Sequence, residues 1–309
     1  MGHTELIGRL GSFFAPLANW ALRNPFNRWI MEKVLGIHRN RILPTYASES
    51  FRRWFDKRVM KSGAEGGKKV ALFYTCTVNF NEPDVGKGCV KVLEKSGIQV
   101  ACPEQRCCGM PFLDGGDIEA AKNSARANVE SLIALIEGSH DVVVPGPTFS
   151  YMLKREYPIL LDGSAVQRVV ARTFDICEYL MALHSQGKLD THFVRGVGRV
   201  TYQIPCHLRA QNLGYKSRDL IQLIPDTTVP LIEKCSAIDG TWDLKRQYYD
   251  LSLKVAEPLL RDIRESQPDL TVSDCPLAGL QVEQGLGQRP LHPIRVLERA
   301  YGLEGKRPG

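Results

Sequence analysis

A fixed order of short apolar run, cysteine-bearing loop and helical stretch occurs twice along the 309-residue chain, and this duplication constrains the fold more than any other feature. In the first copy Val70-Ala71-Leu72-Phe73-Tyr74 runs into a loop holding Cys76, and Val85 to Lys95 has helical spacing up to Gly97. Ile98-Gln99-Val100 is the next strand candidate, Cys107-Cys108 sits in a loop, Ile118 to Ile136 reads as a long helix, and Val142-Val143-Val144 ends in Pro145-Gly146-Pro147. In the second copy Val200-Thr201-Tyr202-Gln203-Ile204 runs into Pro205-Cys206, and a helix candidate follows at Leu220 to Ile224. Cys235 lies in a turn, Tyr249 to Ile263 is helical, and Leu270-Thr271-Val272 runs into Cys275-Pro276.

The spacings agree between the copies. Cys76 and Cys107 lie 31 positions apart and Cys206 and Cys235 lie 29, while Cys107 to Gly146 is 39 and Cys235 to Cys275 is 40. Buried strands alternating with helices predict an α/β fold of Rossmann-like lobes with parallel, doubly wound sheets. A unit that occurs only twice reads as tandem lobes about a pseudo-two-fold axis, not as a solenoid. A helical and extended lead-in with a polar linker at Ser62-Gly63-Ala64-Glu65-Gly66-Gly67 fills residues 1–66. The first lobe is expected over 67–195 and the second over 196–309.

In such sheets the loops at the carboxyl ends of the strands line a common crevice. Cys76, Cys206 and Cys275 each follow a predicted strand, and Cys107-Cys108 and Cys235 fall in loops between elements, so each lobe can bring separated thiols to one mouth. Nine cysteines are an odd number for a disulfide set. Soft thiolates select iron–sulfur clusters, zinc or copper(I), and a cluster usually takes about four of them. Vicinal cysteines are poorly placed on one ion but can bind two irons, and Gly109 lets the backbone approach closely, which favours iron–sulfur over mononuclear zinc. His207 and His292 are further nitrogen-ligand candidates, although a single histidine is more often structural. Cys89, Cys102 and Cys177 are read as packing residues.

Other classes find less support. No G-x-G-x-x-G follows Val70 to Tyr74 and no P-loop occurs, so nucleotide binding lacks its phosphate cradle. The net charge of +6 is modest, although Arg39, Arg41, Arg52, Arg53, Lys57, Arg58, Lys61, Lys68 and Lys69 form a basic region. That region is read as a solvated face or a dock for an acidic partner or anionic lipid; no nucleic-acid motif accompanies it, and no nucleic acid is expected as a partner. The apolar stretch Leu6 to Leu22 is interrupted by Arg9, Pro16 and Asn19, so no spanning helix is expected. The start has no secretory-signal pattern, and a cytoplasmic location follows as the expectation. Phe13, Phe14, Trp20 and Trp29 give the lead-in an aromatic amphipathic character. It is expected to pack on a partner protein or on the chain's own lobes, with peripheral membrane contact as the alternative.

With these residues in view, the chain resembles the cysteine-rich CCG-domain family, which includes iron–sulfur subunits of heterodisulfide reductase, of glycolate oxidase and of anaerobic glycerol-3-phosphate dehydrogenase. The likeness is carried by Gln105-Arg106-Cys107-Cys108-Gly109-Met110-Pro111, Tyr202-Gln203-Ile204-Pro205-Cys206-His207-Leu208, Cys235-Ser236-Ala237-Ile238-Asp239-Gly240-Thr241 and Asp274-Cys275-Pro276-Leu277-Ala278-Gly279. Glu32 to Ile37 and His292-Pro293-Ile294 extend it. The resemblance implies an electron-transfer subunit of an oxidoreductase complex, holding one or two [4Fe–4S] clusters that can be non-cubane. Its metal ligands would be Cys76, Cys107 and Cys108 in one lobe and Cys206, Cys235 and Cys275, with His207 as an addition, in the other.

The full family motif is incomplete in both lobes. Phe149 stands where relatives commonly have cysteine, Cys-Cys-Gly has become Cys235-Ser236-Ala237, and Ala278 replaces the last cysteine of the second lobe. A non-redox scaffold binding zinc or no metal is therefore the alternative reading. Many members also carry a ferredoxin-like domain ahead of the region matching Arg28 onward. This sequence starts without one, so a flavin-containing dehydrogenase subunit, a separate ferredoxin-type protein, or both are the expected partners, at the inner face of the membrane.

Overall fold

The computed structural model describes residues 4–58 and 67–304. The linker read at Ser62 to Gly66 lies outside them, as does Lys61. Four helices lead in: α1 (Thr4–Phe13), α2 (Ala15–Arg23), α3 (Pro25–Leu35) and α4 (Phe51–Lys57). Asn24 starts α3 by accepting from the Phe26 and Asn27 amides ahead of Pro25, and Gly36 ends it at φ +70°, a left-handed stop that glycine adopts without a Cβ clash.

The first lobe runs β1 (Lys69–Leu72), α5 (Cys76–Phe80), α6 (Pro83–Lys95), β2 (Gln99–Ala101), α7 (Met110–Asp114), α8 (Ile118–Glu137) and β3 (His140–Val144). It continues through α9 (Pro147–Tyr151), a π-helical turn over Met152–Glu156, α10 (Tyr157–Leu160), α11 (Ser164–Ala171), β4 (Thr173–Asp175) and α12 (Ile176–Ser185). Its strands are all parallel, in the order β2-β1-β3-β4.

The second lobe runs β5 (Gly198–Gln203), α13 (Cys206–Ala210), α14 (Lys216–Gln222), β6 (Thr227–Thr228), β7 (Leu231–Ile232), α15 (Tyr249–Glu265), β8 (Leu270–Ser273), α16 (Pro276–Leu286) and α17 (Pro293–Ala300). Here β5 is central, with β6 and β7 on one side and β8 on the other, all parallel. Pro230 separates β6 from β7, because a proline has no N–H for the ladder. A parallel bridge from Val272 to Leu291 stands where β4 stands in the first lobe. The strand order is therefore the same in both lobes.

The helices between the sheets complete the symmetry. α6 packs on α17 and α14 packs on α12, so each lobe's helix after its first strand meets the other lobe's last helix. Alternation along the strands makes this shared core, since Val70, Leu72 and Val143 from one sheet and Val200, Tyr202 and Val272 from the other all point into it. Ala71, Phe73, Val142 and Val144 face the opposite way, onto α8 and the helices after β3. Ile232 does the same in the second lobe, with Leu259, Leu260 and Ile263 of α15.

One expectation about the lead-in narrows and one needs correction. The apolar stripe is not covered by the lobes: Phe13 is 79% exposed, Val34 74%, Phe26 66% and Trp20 58%. The basic region is not one face either. Arg41 is buried against Asp243 (3.4 Å), Gln281 and Ser252 of the second lobe, Arg58 pairs with Glu94, and Arg52 pairs with Asp56 and Glu104. An extended segment threads this anchor, with His38 N–H donating to Leu244 O and Ile37 bridging Lys245. No helix among the described residues is long and apolar enough to cross a membrane.

Candidate metal centres

Each lobe presents its cysteines where a strand hands over to a helix. Cys76 opens α5 directly after β1, behind Thr75 at φ +63°, and Cys206 opens α13 after β5, behind Pro205. The vicinal pair precedes α7, whose N-cap Gly109 sits at φ +100°. A Cβ there would lie 3.2 Å from Met152 Cε, so glycine serves both the backbone angle and the close packing. In the second lobe Ala237 occupies the matching place and keeps a positive φ of +55°.

In the first lobe the structure brings Cys76, Cys107 and Cys108 together. Cys107 and Cys108 are buried, and the Cys108 and Cys76 thiols lie beside Cys107 together with the Thr4 hydroxyl. These neighbours hold the Cys107 thiol well below its ordinary range. Its negative charge and burial push Cys76 and Cys108 well above theirs. Deprotonating more than one of these neighbouring sulfurs builds up repulsion that a bound cation would relieve. The backbone of the pair is pinned: Asn128 Nδ2 donates to Cys107 O (3.1 Å) and to Tyr157 Oη (3.0 Å), and Tyr157 Oη donates to Cys108 O (3.0 Å). Tyr157 follows the π-helical turn, a device common beside functional sites. A cavity of about 440 Å³ opens onto Cys76 and Cys107 and is flanked by Arg9, Arg52 and Arg106.

The second lobe is looser. Cys275 is the N-cap of α16, its Sγ accepting from Ala278 N (3.5 Å), and burial raises its thiol to about 11, with Cys206 adding to the shift. Cys206 and Cys235 are exposed, and Cys235 Sγ accepts from Ala237 N at 3.3 Å. Cys206 and Cys275 are therefore neighbours, whereas no hydrogen bond joins the Cys235 thiol to either among the described residues. Thr148 crosses from the first lobe, with its hydroxyl on His207 Nδ1 (3.0 Å) and close to Cys275. Burial lowers the His207 pKa, against the opposing charges of Asp239, Asp114 and Glu156.

The donor chemistry fits a thiolate-bound metal centre in the first lobe, where two buried thiols and the part-buried Cys76 lie side by side. No set of three or more His, Cys, Asp or Glu side chains among the described residues is arranged around a single ion. Cys89 and Cys177 are fully buried in the shared core, as read from the sequence, and Cys102 is part-buried against it. His292 is no ligand candidate: it caps α17, Nδ1 accepting from Ile294 N (3.1 Å), inside the fold. Sequence reasoning missed Thr4, Thr148 and the Asn128–Tyr157 brace. Only Thr148 carried a signal, as part of the loop aligned with Cys275-Pro276-Leu277-Ala278.

Comparison with known proteins supplies the lineage. The cysteine-rich domain model matches twice, at residues 70–154 and 200–283, which take in β1–β3 and β5–β8 with their cysteine loops. A subunit of the anaerobic glycerol-3-phosphate dehydrogenase of Escherichia coli (strain K12) is 31% identical over 306 residues, covering 97% of this chain and 76% of that protein. Lactate utilization protein A of Geobacillus kaustophilus is 28% identical over 253 residues, 77% of this chain and 99% of that protein. A subunit of the fumarate reductase (CoM/CoB) of Methanothermobacter marburgensis is 26% identical over 239 residues, 76% of this chain and 46% of that protein. Duplicated sheets, thiols at strand ends and two matches to one model lead to one conclusion: the chain belongs to the cysteine-rich domain family.

Proposed function

We propose that this chain is an iron–sulfur electron-transfer subunit of an oxidoreductase complex, of the kind named by its glycerol-3-phosphate dehydrogenase and fumarate reductase relatives. The gathering of Cys76, Cys107 and Cys108 in one buried spot carries this reading. Its lobes are taken as 67–195 and 196–309. Cys76, Cys107 and Cys108 would hold a [4Fe–4S] centre in the first, and Cys206, Cys235 and Cys275, with His207, a second centre if Cys235 turns inward. A bound cluster supplies one-electron chemistry at a potential set by its ligands and their hydrogen bonds. The chain's own residues supply the rest: Asn128 and Tyr157 fix the vicinal pair, Gly109 permits close backbone approach, and burial excludes water.

The electron donor or acceptor is read as a flavin-containing dehydrogenase subunit or a separate ferredoxin-type protein, in the cytoplasm. The exposed apolar residues of α1–α3 are accompanied by Arg23 and Lys33, while Arg9 is paired with Glu5, and this apolar stripe with its two exposed cations supports contact at the inner membrane surface. Iron and acid-labile sulfide analysis of anaerobically purified protein, with electron paramagnetic resonance, tests the proposal. Iron and sulfide in cluster proportion are expected. A colourless protein with stoichiometric zinc would replace this reading with a non-redox scaffold.

A further inference from the structure

The three thiols of the first lobe have a fourth neighbour that belongs to neither lobe. Thr4 of α1 donates its hydroxyl to Cys107 Sγ (3.4 Å) and receives the Cys76 S–H at 3.9 Å. It is separated from Cys107 by 103 positions. We propose that Thr4 supplies the fourth, oxygen, donor of the first lobe's thiol site, so that the lead-in helix α1 is a working part of that site.

The packing of α1 is consistent with that role. Gly8 lies against Phe80, the last residue of the helix that Cys76 begins, and a Cβ at Gly8 would come within 2.3 Å of the Phe80 ring. Gly11 lies as closely against the Tyr46 ring, Ser12 donates to Ala47 O, and Asn19 exchanges two 2.8 Å hydrogen bonds with the Tyr46 backbone. Two glycines thus let α1 approach closely enough to place Thr4 over the thiols. The helix is docked on the first lobe while its outer residues Leu6, Ile7, Leu10 and Phe13 remain exposed.

The chemistry differs from that of a fourth cysteine. The first lobe has Gly146 and Phe149 where its partner loop has Cys275 and Ala278, so no thiol comes from that side. An alcohol oxygen is a harder and weaker donor to iron than a thiolate, so the position it fills exchanges with solvent or an incoming ligand more readily. A hydroxyl donating to Cys107 Sγ also withdraws electron density from that sulfur, which raises the potential of a cluster bound there.

This inference rests on the proposed metal site in the first lobe, and the test separates the two. Thr4→Val keeps the shape and removes the hydroxyl, Thr4→Ser keeps the hydroxyl, and Thr4→Cys offers a fourth thiolate. In the full chain, reconstituted anaerobically, Thr4→Val is expected to speed iron loss to a chelator by roughly tenfold, lower the midpoint potential and change the electron paramagnetic resonance signal. Thr4→Ser should restore all three, and Thr4→Cys should slow iron loss below that of the unaltered chain. Gly8→Leu, which displaces α1 without touching the thiols, should behave like Thr4→Val. If Cys107→Ser removes iron while the Thr4 variants keep the unaltered chain's loss rate, potential and signal, Thr4 is only a helix residue. If Cys107→Ser removes no iron, the first-lobe metal site itself falls and this inference with it.

Discussion

The two lobes share strand order, loop positions and helix exchange, yet their thiols live in opposite surroundings. Cys107 is 4% exposed and Cys76 part-buried, while Cys235 and Cys206, at the equivalent loop and strand ends, face solvent. The first lobe gathers its thiols at the cost of crowding a charge in an apolar pocket, and it borrows Thr4 from the lead-in. The second leaves Cys206 and Cys235 open to solvent, keeps Cys275 beside Cys206, and borrows Thr148 from the first. Duplication therefore preserved the scaffold, whereas the immediate neighbours of each cysteine set diverged. A preorganised thiol set favours metal capture because less ordering remains to be done on binding.

The largest expected effect breaks or sustains this contrast directly. Cys107→Ser should remove more of the bound iron than Cys275→Ser, and Cys89→Ser and Cys177→Ser should leave iron in place, as read by anaerobic metal analysis. The reverse order between the first two would make the open lobe the occupied one. Equal losses in all four would show that ligand and packing cysteines have been wrongly divided.

Next in size is the anchor between lead-in and second lobe. Arg41→Met leaves Asp243 buried without its cation, and breaking such a pair costs about 3–5 kcal/mol. A denaturant midpoint corresponding to under about 1 kcal/mol would mean that the anchor relaxes or takes up water.

Smaller effects are expected at the matched backbone positions. Gly109→Ala should destabilise by about 1–2 kcal/mol, since it places a Cβ at φ +100° against Met152 and Ala121. Ala237→Gly, already at φ +55°, should change stability by less than about 1 kcal/mol, because relief of strain is offset by added freedom in the unfolded chain. Equal effects would show that the two turns bear the same load.

The smallest effect compares the caps of the two last helices. His292 caps α17 where Asp175 caps α12, and burial moves the two in opposite senses for stability. Burial lowers His292 from 6.5 to about 3, so the unfolded chain binds more protons than the folded one between these values, and stability falls as pH drops through that window. Burial, with the charge of Asp274, raises Asp175 to about 8, so its contribution is present at low pH and lost as pH rises from about 4 to 8. His292→Asn keeps a capping side chain and should flatten the acid limb, by roughly 1 kcal/mol between pH 8 and 6. An unchanged limb would place its origin elsewhere.

Long, strongly patterned elements were legible in the sequence. The expected helices Val85–Lys95, Ile118–Ile136 and Tyr249–Ile263 appear as Pro83–Lys95, Ile118–Glu137 and Tyr249–Glu265. The three-residue β4 was not readable, because Thr173-Phe174-Asp175 is too short to show a period. The stripe through Phe13, Trp20 and Trp29 announced an amphipathic lead-in, but a stripe says nothing of what covers it, and here the lobes do not. Arg41 looked like one of many surface cations, since nothing local in a sequence marks an arginine whose carboxylate lies 202 positions away.

By itself the sequence determined the duplicated α/β plan and the thiols at the ends of its strands, because periodic burial and the strand-to-helix turn are local properties. Only the tertiary structure decided which thiols meet, that Cys235 faces solvent, and that Thr4 and Thr148 arrive from outside their sites. Those outcomes depend on side-chain direction and on chain segments far apart, where a shift of a few ångströms separates a ligand set from scattered sulfur.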